Sequence, residues 1–164
     1  DVWTYRFGLR ELTIRDKQFK LNGEPIYIKA TFFEGLYPNR IAYPDNVEMA
    51  RREIELAKDA GFNMIRKHIK VEPARWYYWC DKLGLLVWQD MPSGDAPRSD
   101  ESKRNYRREL KAMIDALHNF PCIVMWVPFN EGWGQFDTAL VCNTDRQLDD
   151  AVFQFAWRHV CVTS

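Results

Sequence analysis

At 164 residues, with 46 % apolar and 28 % charged residues, the chain is one domain's worth and long enough to bury a core. Its 23 basic residues balance its 23 acidic ones, so the basic footprint that phosphate-backbone binding requires is missing and no nucleic-acid partner is expected. The longest apolar stretch, Cys122 to Phe129, falls far below the roughly 20 residues of a membrane span.

The chain opens on Asp1-Val2-Trp3, with neither an initiator Met nor the charged and apolar regions of a signal peptide. It therefore reads as a piece of something longer or as a processed product. Compartment stays open, a periplasmic or extracellular setting being favoured over the cytoplasm.

Leu12, Ile14 and Phe19 alternate as strand residues do and lead to the turn Asn22-Gly23, with Ile26-Tyr27-Ile28 on its far side, a hairpin signal. The second arm runs on through Lys29 to Phe33 and is read as the first strand of the main sheet. Asp45 with Glu48 makes a capping box, and Val47, Ala50, Ile54 and Ala57 recur at helical spacing until Gly61. A short strand follows over Asn63 to His68. Pro73 starts a second helix with Trp76, Cys80 and Leu83 on its apolar face, closed by Gly84.

Leu85 to Asp90 is the next strand, and Met91 to Asp100 a loop rich in Pro, Ser, Gly and Asp. Tyr106, Leu110, Met113, Ile114 and Leu117 mark a third amphipathic helix with a charged, solvated outer face. After the strand from Cys122 the pattern weakens, with a further helix around Leu148 to Ala156 and a strand stub at Val160 to Thr163. Alternating helices and doubly apolar strands are the signature of a parallel sheet covered by helices. Ligands of such sheets lie at the carboxyl ends of the strands, where Arg66, His68, Asp90, Asn130 and Glu131 fall.

Glu131 stands between an apolar strand and the loop Gly132-Trp133-Gly134, where partial burial would raise its pKa and suit a general acid. The plainer alternative is a loop cap or a partner for Arg66. Asn130 is placed to donate to a sugar hydroxyl or to satisfy the end of the strand. Arg66 and Asp90 form a candidate ion pair across the mouth of the sheet, and His68 is a lone histidine with either a structural or a binding role. Trp126 and Trp133, near segment ends, offer faces on which sugar rings stack, against core packing as the alternative.

The four cysteines, Cys80, Cys122, Cys142 and Cys161, lack CxxC spacing and read first as buried free thiols, with a disulfide the next alternative and a metal site the last. No HExxH, P-loop, GxGxxG or GxSxG is present, so zinc, nucleotide and serine-hydrolase chemistry find no support and no cofactor is expected.

Taken together and in order, Tyr5 to Glu11, Phe19 to Pro25, Asp59 to Arg66, Cys80 to Leu85 and Trp126 to Glu131 resemble the catalytic domain of glycoside hydrolase family 2 over residues 5 to 138. That is the family of β-galactosidases, β-glucuronidases and β-mannosidases. The resemblance implies one α/β domain over residues 1–164: a partial (β/α)8 TIM barrel of about the first four to five β/α units, preceded by a short β-hairpin. It further implies a carbohydrate substrate, a retaining mechanism, Glu131 as acid/base and Asn130 on the hydroxyl next to the anomeric carbon. Arg66 and Asp90 match family positions after the second and third barrel strands.

Three departures stand out. The family histidine lies one residue beyond His68, and the loop Thr31-Phe32-Phe33-Glu34-Gly35 lacks the family's histidine pattern. The family nucleophile, a second Glu on the seventh strand, has no counterpart here, so the chain alone is expected to be inactive. A half barrel also leaves sheet edges open, through which self-association is expected. A noncatalytic carbohydrate-binding fragment is the other alternative.

Overall fold

A computed structural model describes residues 8–44, 46–92, 94, 99–132 and 134–136. Trp133, Cys142, Cys161 and the elements expected beyond Thr138 lie outside those residues.

The first segment folds as a three-stranded antiparallel sheet of β1 (Leu12–Arg15), β2 (Gln18–Leu21) and β3 (Glu24–Pro25). Two tight turns make it so. Asp16 and Lys17 both take positive φ, 54° and 62°, as Asn22 and Gly23 do at 53° and 85°, the conformation that matches strand twist in two-residue hairpins. The sequence announces only the second turn, because Asp-Lys lacks the glycine that marks such turns. Ile26 to Ile28, expected as strand, fall outside β3, although the Ile26 amide still donates to the Phe19 carbonyl at 2.9 Å.

Four parallel strands then form the main sheet: β4 (Ala30–Phe33), β5 (Met64–Lys67), β6 (Leu86–Asp90) and β7 (Ile123–Val127). Spatial order equals chain order, so every crossover helix is free to lie on the same face. The helices are α1 (Val47–Asp59), α2 (Ala74–Leu83) and α3 (Asp100–Leu117). The expected cap of α1 moves by one residue: Asn46 accepts from the Met49 amide at 2.9 Å, and Asp45 is outside the described residues. Gly84, left-handed at φ 68°, ends α2, and the Ser99 hydroxyl caps α3.

The two faces of the sheet differ. Register aligns Phe33, Lys67, Gln89 and Trp126 in one row, and Phe32, Arg66, Trp88 and Met125 in the next. The first row meets the helices: Phe33 stacks on Trp76 of α2 at 6.5 Å, and Tyr77 donates to Gln89 at 2.6 Å. Ile54, Ile65, Trp76, Tyr77, Cys80, Leu85, Val87 and Ile123 fill the core between them. Cys80 and Cys122 are buried free thiols. The second row stays open enough that Phe32 is 55 % exposed.

Candidate active site

The carboxyl ends of the strands gather Arg66 from β5, Asp90 from β6 and Asn130 just past β7. Arg66 donates through Nη2 to Asp90 Oδ2 at 3.0 Å and through Nε to both Asp90 oxygens at 3.3 Å. The same Nη2 donates to Asn130 Oδ1 at 2.6 Å. Beneath the guanidinium lies Trp88, its ring centroid 5.0 Å away, a cation–π contact that holds the plane of the group. Asp90 is 0 % exposed, and burial pushes its carboxyl above the usual range while Arg66 pulls it back. The ion pair anticipated from the sequence is thus a three-residue chain that reaches Asn130.

Asn130 and Glu131 belong to a single 3-10 turn over Asn130–Gly132. Its approach is anchored from α3, where Tyr106 donates to the carbonyl of Pro128 and stacks on Phe129 at 4.9 Å. Phe136 closes the cluster edge-on, 5.7 Å from Phe129. Within this turn Glu131 adopts φ 52° and ψ 19°, a left-handed conformation that costs a non-glycine residue about 1 kcal/mol. Its side chain is exposed, which corrects the expectation of partial burial: the strand ends before Glu131, and the turn swings it out into solvent. Asn130, by contrast, is 8 % exposed.

His68 follows β5 at the same end. Its ring packs on Phe32 at 4.4 Å, and Nδ1 lies 3.4 Å from Glu34 Oε1. Trp126 departs from its anticipated place. At 1 % exposure it sits in the helix-facing row, because Arg66, Trp88 and Met125 occupy the alternate positions that face the open side. It packs the core instead of lining the mouth.

Behind the mouth lies a network the sequence reading missed. Lys67, 0 % exposed, pairs with Glu72 and lies 4.1 Å from the Phe33 ring. Lys70 joins the same carboxylate at 2.9 Å and donates to the Gly35 carbonyl at 2.7 Å. Glu53 of α1 accepts from Tyr37 at 3.0 Å and from the Trp76 indole. Burial pushes Glu53 up to about 7 and Lys67 down to about 8. The one signal available was Lys67 itself, a cation on the apolar face of a strand.

Among the described residues, no group of three His, Cys, Asp or Glu side chains is placed to hold a metal, and no helix is long and apolar enough to cross a membrane.

Residues 12–153 match the family model described as glycosyl hydrolases family 2, TIM barrel domain. A β-galactosidase of Thermoanaerobacter pseudethanolicus is 33 % identical over 142 residues, covering 84 % of this chain and 19 % of the relative. A putative β-glucuronidase of Formosa agariphila is 30 % identical over 128 residues, covering 77 % of this chain and 15 % of that protein. In structure, a Parabacteroides merdae β-glucuronidase superposes with a TM-score of 0.74 at 29 % identity, over 90 % of this chain and 20 % of that one. The chain thus spans about a fifth or less of these relatives.

Proposed function

Because the chain belongs to glycosyl hydrolase family 2 through its TIM barrel domain, we propose that it supplies the first strands of a (β/α)8 barrel and one half of a retaining β-glycosidase site. Glu131 is the general acid/base, and the leaving oxygen of a β-glycoside is its proton acceptor. Asn130 binds the hydroxyl next to the anomeric carbon, and Arg66 holds Asn130 in place. His68 lines the mouth, with Trp133 offering an aromatic face.

The observation that carries this reading is the pairing of an exposed, left-handed Glu131 with a buried, tethered Asn130 at the carboxyl end of β7. Backbone strain persists where the surroundings over-determine it, and such positions cluster at active sites. A solvent-facing carboxyl beside a fixed amide is what protonation of an aglycone oxygen needs. Retaining hydrolysis also requires a second carboxylate about 5 to 5.5 Å from the first. Asp90 does not serve as that nucleophile, since both its oxygens are engaged by Arg66 and it is fully buried. The nucleophile is therefore expected to be a carboxylate other than Asp90, and the chain alone is expected not to turn over aryl β-glycosides.

The test is to graft the chain in place of the matching segment of the T. pseudethanolicus enzyme. In an active graft, Glu131→Gln is expected to lower kcat on unactivated aryl β-glycosides by about 10²- to 10⁴-fold, with azide restoring turnover of activated ones. Unchanged kcat would overturn the assignment. The exposed Phe32 favours a second reading, a noncatalytic or self-associating half barrel. Sedimentation as a clean monomer counts against association.

A further inference from the structure

We propose that Asp90 is a positioning residue that acts through Arg66 to hold the Asn130 amide with its carbonyl turned inward and its NH2 presented to the ligand. The inference rests on the reading of Asn130 as a sugar-binding group and adds what orients it. A guanidinium carries only donors, so the amide atom facing Arg66 Nη2 at 2.6 Å must be the oxygen. A flipped amide would set NH2 against N–H. Nη2 has two hydrogens, and the structure uses both, one for Asp90 Oδ2 and one for Asn130 Oδ1. Nε spends its hydrogen on the Asp90 carboxylate.

Asp90 thereby sets the rotation of the guanidinium, while Trp88 sets its plane. With the carbonyl end spoken for, Asn130 Nδ2 has no partner among the described residues and is left as a donor. The ligand atom it meets must then carry a lone pair. A hydroxyl oxygen qualifies, and an ammonium does not. Asp90, 0 % exposed, never touches that ligand itself.

Nitrogen-15 NMR of the 164-residue chain reads this directly. The signals are the Asn130 side-chain NH2, assigned by its loss in Asn130→Asp, the Arg66 Nε–H, and the Trp76 indole N–H as a marker of the intact core. Asp90→Asn is expected to move the Asn130 pair toward the random-coil position and to speed exchange of Arg66 Nε–H with water about tenfold or more, as loss of a charge-assisted bond requires. The Trp76 signal stays.

An unmoved Asn130 pair beside a retained Trp76 signal would overturn the proposal. Should Asp90→Asn lose the Trp76 signal, Arg66→Lys decides: it keeps the charge and removes the fork, and it must move the Asn130 pair in the same direction. If that pair stays put, the proposal fails. The readout is the amide and not turnover, so failure here is distinct from failure of the glycosidase reading, which the Glu131→Gln graft reports.

Discussion

Gly35 is closely specified by its surroundings. It takes φ +67°, and a methyl group there would overlap the Lys67 and Lys70 amines and the Glu72 carboxylate. Gly35→Ala is expected to destabilise the chain by about 2–3 kcal/mol in urea denaturation, from left-handed strain and displacement of a buried ion pair together. The same network has a pH signature. Burial lifts Glu53 from an ordinary 4.5 to about 7, against the pull of its Trp76 and Tyr37 hydrogen bonds. The folded state thus binds this proton more tightly than the unfolded one. Stability from Glu53 is complete below about 4.5 and is lost as pH climbs through about 7. Glu53→Gln cannot ionise, so its denaturation midpoint should gain on wild type between about pH 5 and 7.5, by on the order of 1 kcal/mol given partial solvent screening. The strand-end cluster of Arg66, Asp90 and Asn130 was legible because each ends an apolar run with a polar group. The Lys67–Glu72 pair was not, since only the closing of the loop after β5 brings residues five apart into contact. Exposure of Glu131 was misjudged for a similar reason: a turn, and not the strand, aims it.

Elements were legible wherever hydrophobic period and punctuation agreed. α2 lies between Pro73 and Gly84 as its residues dictate, with Trp76 and Cys80 buried one turn apart. Caps are less readable, because several polar neighbours compete for one position: Asn46 takes the cap of α1 although Asp45 completes the sequence motif. Asn46→Ala is expected to cost about 1 kcal/mol and lower the thermal midpoint accordingly. Asn46→Gly, by contrast, is expected to cost only about a few tenths of a kcal/mol, since glycine is tolerated at the cap position. Trp126 shows what period alone leaves open. In a strand with apolar residues on both sides, which face meets the helices depends on register, and β6 and β7 slip between Val87 and Trp88. That slip sets Trp126 beside Gln89 in the helix-facing row.

At the scale of the molecule, four parallel strands in chain order carry helices on one face and leave Phe32 and Trp88 on the other. The alternation of strands and helices made the parallel sheet readable, while the antiparallel sheet before it gained a third strand from a turn without glycine. On the proposed reading Glu131 is a general acid, and the chain by itself is expected to be inactive. Hydrolysis of aryl β-glycosides by the isolated chain, beside its Glu131→Gln variant, tests it most directly. Neither protein is expected to turn over substrate above buffer. Turnover by the wild-type chain that disappears in Glu131→Gln would contradict the account, since both catalytic carboxylates would then lie within it.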